Sequence, residues 1–218
     1  MVGVIATSHI IESLGLTQLG TVMDERFPAV ALIQNEVPRH PVRVYQGNGI
    51  GVFTAEIQFE KEQDIAFGST VLEWFTAGGF EQLIIIDGIL KPEKEVQGEG
   101  LFAVGASEKA RKRLKEMDLN TIQRGIVSGI TGFLLSEGDR LNLDITALLS
   151  EASPMYPDVR AAAVAIEAIT EMTGVEIPLS KMLENAREIE HSVQEIIQNS
   201  TPLLPSPDDD VENDPSFG

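Results

Sequence analysis

The 218-residue chain has no cysteine. That excludes disulfides, thiolate catalysis and any cysteine-ligated zinc centre. No run of apolar residues approaches the eighteen or more needed to cross a bilayer, and Met1 to Leu19 lacks the basic start of a secretory signal. The chain therefore reads as soluble and cytoplasmic, with no membrane partner. Basic residues are scarce, 16 lysines and arginines against 34 acidic residues, a formal charge of -18. Such a surface repels a phosphate backbone, so nucleic acid is excluded as a partner. Part of the excess is local, because Asp208, Asp209, Asp210, Glu212 and Asp214 crowd the C-terminal end. The rest serves solubility or suits a basic partner surface.

The usual signatures of catalysis are missing too. The three histidines, His9, His40 and His191, are scattered, with no pair at metal-ligand spacing. In Gly125-Ile126-Val127-Ser128-Gly129 the serine stands one place too late for a nucleophile elbow, so the segment reads as a strand-to-helix connection. Gly98, Gly100 and Gly105 lack the spacing of a dinucleotide loop and precede a strand instead of following one. No phosphate-binding G-x-x-x-x-G-K-[ST] loop occurs. Asp87-Gly88, at the carboxyl end of an apolar run, stands where open α/β sheets often bind ligands, although the pair serves equally well as a turn. No metal and no cofactor is expected.

What is present is an alternation of strands and helices. Val4 to Leu14 reads as a helix through Ile5, Ile10, Ile11 and Leu14, and Ala29 to Ile33 as a short strand. Val42 to Gln46 and Gly51 to Phe59 flank Gly47-Asn48-Gly49, a strong hairpin signal. Along the second arm Phe53, Ala55, Ile57 and Phe59 alternate with more polar positions, so one face is expected buried and the other nearer solvent. Lys61 to Ala77 follows as a helix with Ile65, Val71, Leu72 and Phe75 at helical spacing, closed by Gly78-Gly79. Leu83 to Ile86 predicts a strand covered on both faces inside a mainly parallel sheet. Lys91 to Gly100 reads as a surface loop.

Leu101 to Gly105 predicts the next strand, and Ser107 caps a helix from Glu108 to Met117. Thr121 to Val127 reads as a strand, Thr131 to Ser136 as a helix start, Asp144 to Leu149 as a short strand, and Asp158 to Met172 as a helix between an aspartate cap and Gly174. This order predicts an α/β three-layer sandwich with a mainly parallel, mixed sheet. A last helix from Pro178 to about Gln198 carries Leu179, Met182, Ala186, Ile189, Val193 and Ile196 in steps of three and four. That stripe either packs on its own domain or forms a subunit or partner interface. Residues 1–198 thus read as one domain, and 199–218 as a disordered, acidic, proline-rich tail. The tail ends in Phe217 and Gly218, a possible docking peptide on a charged tether.

Several of these segments together resemble a known family. The stretch VGVIATSHIIESL, FPAVALI from Phe27 to Ile33, the Pro41 to Tyr45 strand, Glu73-Trp74 and Ile84-Ile85-Ile86-Asp87-Gly88 look like archaeal and bacterial relatives of the proteasome assembly chaperones. Gly129-Ile130-Thr131-Gly132, Pro157 to Ala162 and the Leu183 to Glu190 helix extend the likeness over residues 2 to 198. The resemblance implies a fold similar to nucleoside phosphorylases, homo-oligomerisation and binding to proteasome α-subunits, a non-enzymatic role. The same resemblance supplies a rival, an ATP-grasp-like ligase or a phosphorylase-like enzyme. The ligase needs lysines for nucleotide phosphates, whereas Lys109, Lys112 and Lys115, three of only seven lysines, share one amphipathic helix and read as a solvated face. Relatives begin with a strand and a glycine-rich turn. Here the chain opens directly into the first helix, so either the start lies upstream or the sheet is one strand short, with an edge open to another chain. Relatives that dock by their tails end in a hydrophobic residue, a tyrosine and any residue; here Ser216-Phe217-Gly218 keeps only the aromatic.

Overall fold

The computed structural model describes residues 1–34, 36–90, 100–153 and 157–184. The chain opens in helix α1 (Val2–Ser13), followed by strands β1 (Thr17–Thr21), β2 (Leu32–Gln34), β3 (Val37–Arg39), β4 (Val42–Gly47) and β5 (Ile50–Ala55). A 3₁₀ turn, Lys61–Gln63, leads into α2 (Asp64–Ala77), then β6 (Leu83–Leu90), β7 (Leu101–Gly105), α3 (Glu108–Glu116) and β8 (Asn120–Thr121). The last elements are α4 (Gly129–Leu141), β9 (Ile145–Ala152) and α5 (Val159–Thr173), and residues 180–184 are again helical.

The strands form an antiparallel sheet β1-β4-β5, a separate ribbon β2-β3, and a mixed sheet β6-β9-β7-β8. In the mixed sheet β6 and β9 are parallel, β7 and β8 are parallel, and β7 runs antiparallel to β9. Side-chain alternation sorts these strands between two helix layers. Ile84 and Ile86 of β6, Leu101 and Ala103 of β7 and Leu148 of β9 pack with α1 and α5. Leu83 and Ile85, Phe102 and Val104, and Ala147 and Leu149 pack on the opposite face, with Leu72 of α2 and Leu135 of α4. The antiparallel sheet lies between the same layers: Val52 joins the α1 side, while Phe53 and Ala55 pack with Phe67, Val71 and Leu134. The result is a mixed α/β sandwich of three layers.

Local chemistry sets the element ends. Ser107 accepts from the Ala110 amide at 3.1 Å and Asp158 from the Ala161 amide at 3.0 Å, each capping a helix start. Gly174 closes α5 at φ 69°, a backbone shape that glycine adopts without strain. Ala161, Ala162, Ala165 and Ala168 are buried along α5. Their small side chains let that helix approach the sheet and α1 closely.

The hairpin forms as its turn chemistry requires. Asn48 and Gly49 both take positive φ, 51° and 76°, the signature of a two-residue turn matched to strand twist. Its second strand ends at Ala55, however, and both its faces are covered: Val52 and Thr54 are the buried positions, facing α1. A sheet roofed by helices on both sides leaves no solvent face for the expected alternation to mark.

Four other expectations change. Leu83 to Ile86 is covered on both faces, yet among the described residues β6 has a strand on one side only, and β9 holds the interior. Apolarity reports what covers the faces, and says nothing of how many strands flank a strand. Thr121 to Val127 contributes only Thr121, the second residue of β8, and Ile126 is 97% exposed. The segment Ala29 to Ile33 contributes only its end to β2, which pairs with the unanticipated β3; Pro38 is tolerated because that ribbon has no further neighbour. Ile65 points outward from α2 at 64% exposure, and Phe67 is buried in its place.

Candidate functional site

Sheets β1-β4-β5 and β6-β9-β7-β8 stand side by side without pairing, and between β5 and β6 lies a cavity of about 1010 Å³. Residues of α1, of α2 and of the start of α4 close its sides. One wall is aromatic. Phe53 of β5 meets Phe67 edge-on at 5.3 Å and Trp74 at 5.6 Å between ring centroids, and Trp74 lies 4.7 Å from Phe80. Gly51 makes this possible, since a Cβ there would stand 2.6 Å from the indole and 2.7 Å from the Phe80 ring. Trp74, the single tryptophan, was visible in the sequence as one residue of a resemblance; its place on the cavity wall comes from the packing of α2 on β5.

The polar groups of the cavity are few. Thr7 donates to the Gly3 carbonyl at 2.8 Å and lies 2.9 Å from the Thr54 hydroxyl, so Thr54 donates to it and ties β5 to α1. Asp87 accepts from the Thr131 hydroxyl at 2.8 Å and from the Gly88 amide at 2.8 Å. One carboxylate oxygen thus joins β6 to α4 through Thr131, and the other is taken up by the next amide of its own strand. Asp87-Gly88 is also no turn, because β6 continues to Leu90. Among the described residues the charged side chains lining the cavity are Glu81 and Asp87. Its chemistry is burial and backbone hydrogen bonding, with carboxylates at the periphery.

A second polar cluster is structural. Arg113 of α3 holds Asp144, just before β9, at 2.7 and 2.9 Å and reaches Thr146 at 3.2 Å, while Lys109 adds a contact to Asp144 at 3.2 Å. Burial works to raise the Asp144 pKa, but the Arg113 and Lys109 hydrogen bonds and charges together hold it below the ordinary carboxylate value. Lys109 thus has a partner that the sequence pattern did not reveal. Arg43, 2% exposed, pairs with Glu56 and donates to Gln34 at 3.1 Å, fastening the β2-β3 ribbon to the sheet.

Of the residues expected to meet a partner, Met182 is described and is buried at 4% in the core that includes Ile166, Ile169 and Ile177. Ala186, Ile189, Val193, Ile196, Phe217 and Gly218 lie outside the described residues. His9 lies 2.7 Å from the Pro178 carbonyl and 3.1 Å from Ser13, and His40 contacts the backbone of Val42. Among the described residues no cluster of three histidines or carboxylates could hold a metal ion, and no helix is long and apolar enough to cross a membrane.

Fold and cavity together define a mixed α/β scaffold, two sheets between shared helix layers. Comparison with known proteins places it. Residues 1–197 match the PAC2 family, and the chain belongs to that family. It is 22% identical over 204 residues to the uncharacterised protein MJ0106 of Methanocaldococcus jannaschii, covering 94% of this chain and 84% of that one. Pyrococcus furiosus PbaA, an archaeal homolog of proteasome-assembly chaperone, superposes with a TM-score of 0.84 at 25% identity, over 91% of this chain and 83% of that one. Pyrococcus furiosus PbaB, an archaeal proteasome activator, shares the fold at a TM-score of 0.76 and 22% identity, over 90% of this chain and 88% of that one.

Proposed function

We propose that this protein is a non-enzymatic, self-associating chaperone of the cytoplasm that binds proteasome α-subunits. The observation that carries the reading is the likeness to PbaA over 91% of the chain. Two features support it. The segment from Met23 to Val37 exposes Met23, Val30, Ile33 and Val37 at 77, 48, 68 and 44%, an apolar excess of the kind subunit contacts cover. A formal net charge of -18 over the whole chain favours partners with basic faces.

Co-purification with isolated proteasome α-subunits tests the binding. A complex on size-exclusion chromatography, formed by the full chain, is the expected result. No complex, with the tail present or removed, would sink the reading. Light scattering tests self-association: a mass well above the 23.7 kDa of one chain is expected, and a monomer at micromolar concentration refutes that part.

A further inference from the structure

We propose that the loop tip carrying Ile126, with Ile65 beside it, is the face that docks a partner polypeptide offering an apolar socket rimmed by lysine or arginine. Ile126 is 97% exposed and Ile65 64%, and neither lines the cavity between the two sheets. The loop is short and clamped at both ends. At one end the Ile122 amide donates to the Ala103 carbonyl at 3.2 Å. At the other Val127 packs, like Ile122, against the core on the α4 side of the mixed sheet. Gly132 leaves room for the Val127 carbonyl, which a Cβ there would overlap. Ile126 is thus held out from the body between fixed ends, and a side chain presented this way loses little freedom when a partner covers it.

Ile65 belongs to the same face. It precedes Gly68 by three residues and so lies on the same side of α2, the side on which the Phe133 ring of α4 rests against Gly68. The Asp64 carboxylate lies 3.9 Å from where a Cβ on Gly129 would stand, three residues after Ile126. Scattered exposed apolar residues need no explanation; these two are brought together where the first turns of α2 and α4 meet. Charge selects what covers them. Residues 24–26 join this corner through Gln63, which donates to the Arg26 carbonyl at 3.0 Å. Arg26 is closed on Asp24 at 2.5 Å, which leaves Glu25, Glu60, Glu62 and Asp64 against Lys61 and Arg124 on the segments that meet here. An acidic rim around apolar pegs complements a basic rim around an apolar socket. A second copy of this chain is disfavoured, because across a twofold contact the same carboxylates would face each other. The assignment rests on the reading that proteasome α-subunits are bound, and adds the face that meets them.

Isolated proteasome α-subunits are titrated calorimetrically into the native full chain and into Ile126→Asp, Ile65→Asp and Leu141→Asp, and each chain's mass is measured by light scattering. Leu141, 44% exposed at the far end of α4, is the control. Ile126→Asp and Ile65→Asp are expected to bind at least about tenfold more weakly, while Leu141→Asp binds as the native chain does. All three should keep native circular dichroism and mass, since the changed side chains are exposed. Glu62→Lys should weaken binding severalfold, and added salt should weaken the native complex. Native-like binding by Ile126→Asp and Ile65→Asp would overturn the assignment and leave the functional reading standing. A lowered mass in either variant would make this face a contact between copies, and would overturn it as well. If the native chain binds no α-subunit, the functional reading fails and the assignment fails with it.

Discussion

Arg113 grips Asp144 through two hydrogen bonds of 2.7 and 2.9 Å, and so locks α3 to the residue that precedes the central strand β9. Asp144 is 8% exposed; Lys109 adds a contact to it, and the same guanidinium also donates to Thr146. Its geometry makes it a clasp between layers.

Removing one side of that clasp strands the other. Arg113→Ala leaves a buried carboxylate without its main partner and is expected to cost about 3 kcal/mol in chemical denaturation. The pH dependence has a defined sign. The folded pKa of Asp144 is lowered from 3.8, so its contribution is complete above the unfolded value and is lost as pH falls through the folded one. Asp144→Asn should therefore be less stable than the native chain at neutral pH, with the difference shrinking below about pH 4.

On α2, Ile65 and Phe67 are two residues apart and differ sharply in exposure, 64 against 7%. Phe67→Ala should cost about 3–5 kcal/mol, while Ile65→Ala should stay within about 0.5 kcal/mol of the native chain. Equal losses in urea titration would contradict the placement of this helix.

Gly138 lies where α4 crosses close to β9. A Cβ there would stand 2.8 Å from that of Ala106 and 3.1 Å from the Ile145 Cδ1. Gly138→Ala gains about 1 kcal/mol in helix propensity, but crowding against Ala106 and Ile145 costs about 1–3 kcal/mol. Thermal unfolding should show a net loss; a raised Tm would mean that the two elements part easily.

Exposed apolar residues between β1 and β4 are predicted to serve self-association. Ile33→Asp changes a 68% exposed side chain, so circular dichroism and Tm should be nearly unchanged while light scattering reports a lower mass. An unaltered mass would remove this segment from the interface.

Much of the fold was legible because its signals are local. The caps Ser107 and Asp158, the stop at Gly174 and the Asn48-Gly49 turn depend on side-chain and backbone preferences within a few residues, and each element lies close to where its pattern puts it. β1 and β3 went unseen because Thr17–Thr21 and Val37–Arg39 carry little apolar alternation; their pairing with β4 and β2 makes them strands. The face of β5 and the orientation of Ile65 were misread for a related reason. Periodicity shows that a surface is apolar without naming what will cover it.

The site was less legible than the fold. Family likeness could be read in order from short apolar motifs, but the cavity wall combines Thr7, Phe53, Trp74 and Ile84, which come together only when α1, α2 and two separate sheets are packed. Composition and spacing alone determined the principal helices and strands and their order, the acidic character and the absence of thiol chemistry, because these follow from residue identity and neighbours in the chain. Only the tertiary structure decided that β9 lies between β6 and β7, that Arg113 closes on Asp144, and that β5 and β6 line one cavity. Those are relations between residues tens of positions apart, set by layer packing and backbone pairing, for which no local preference exists.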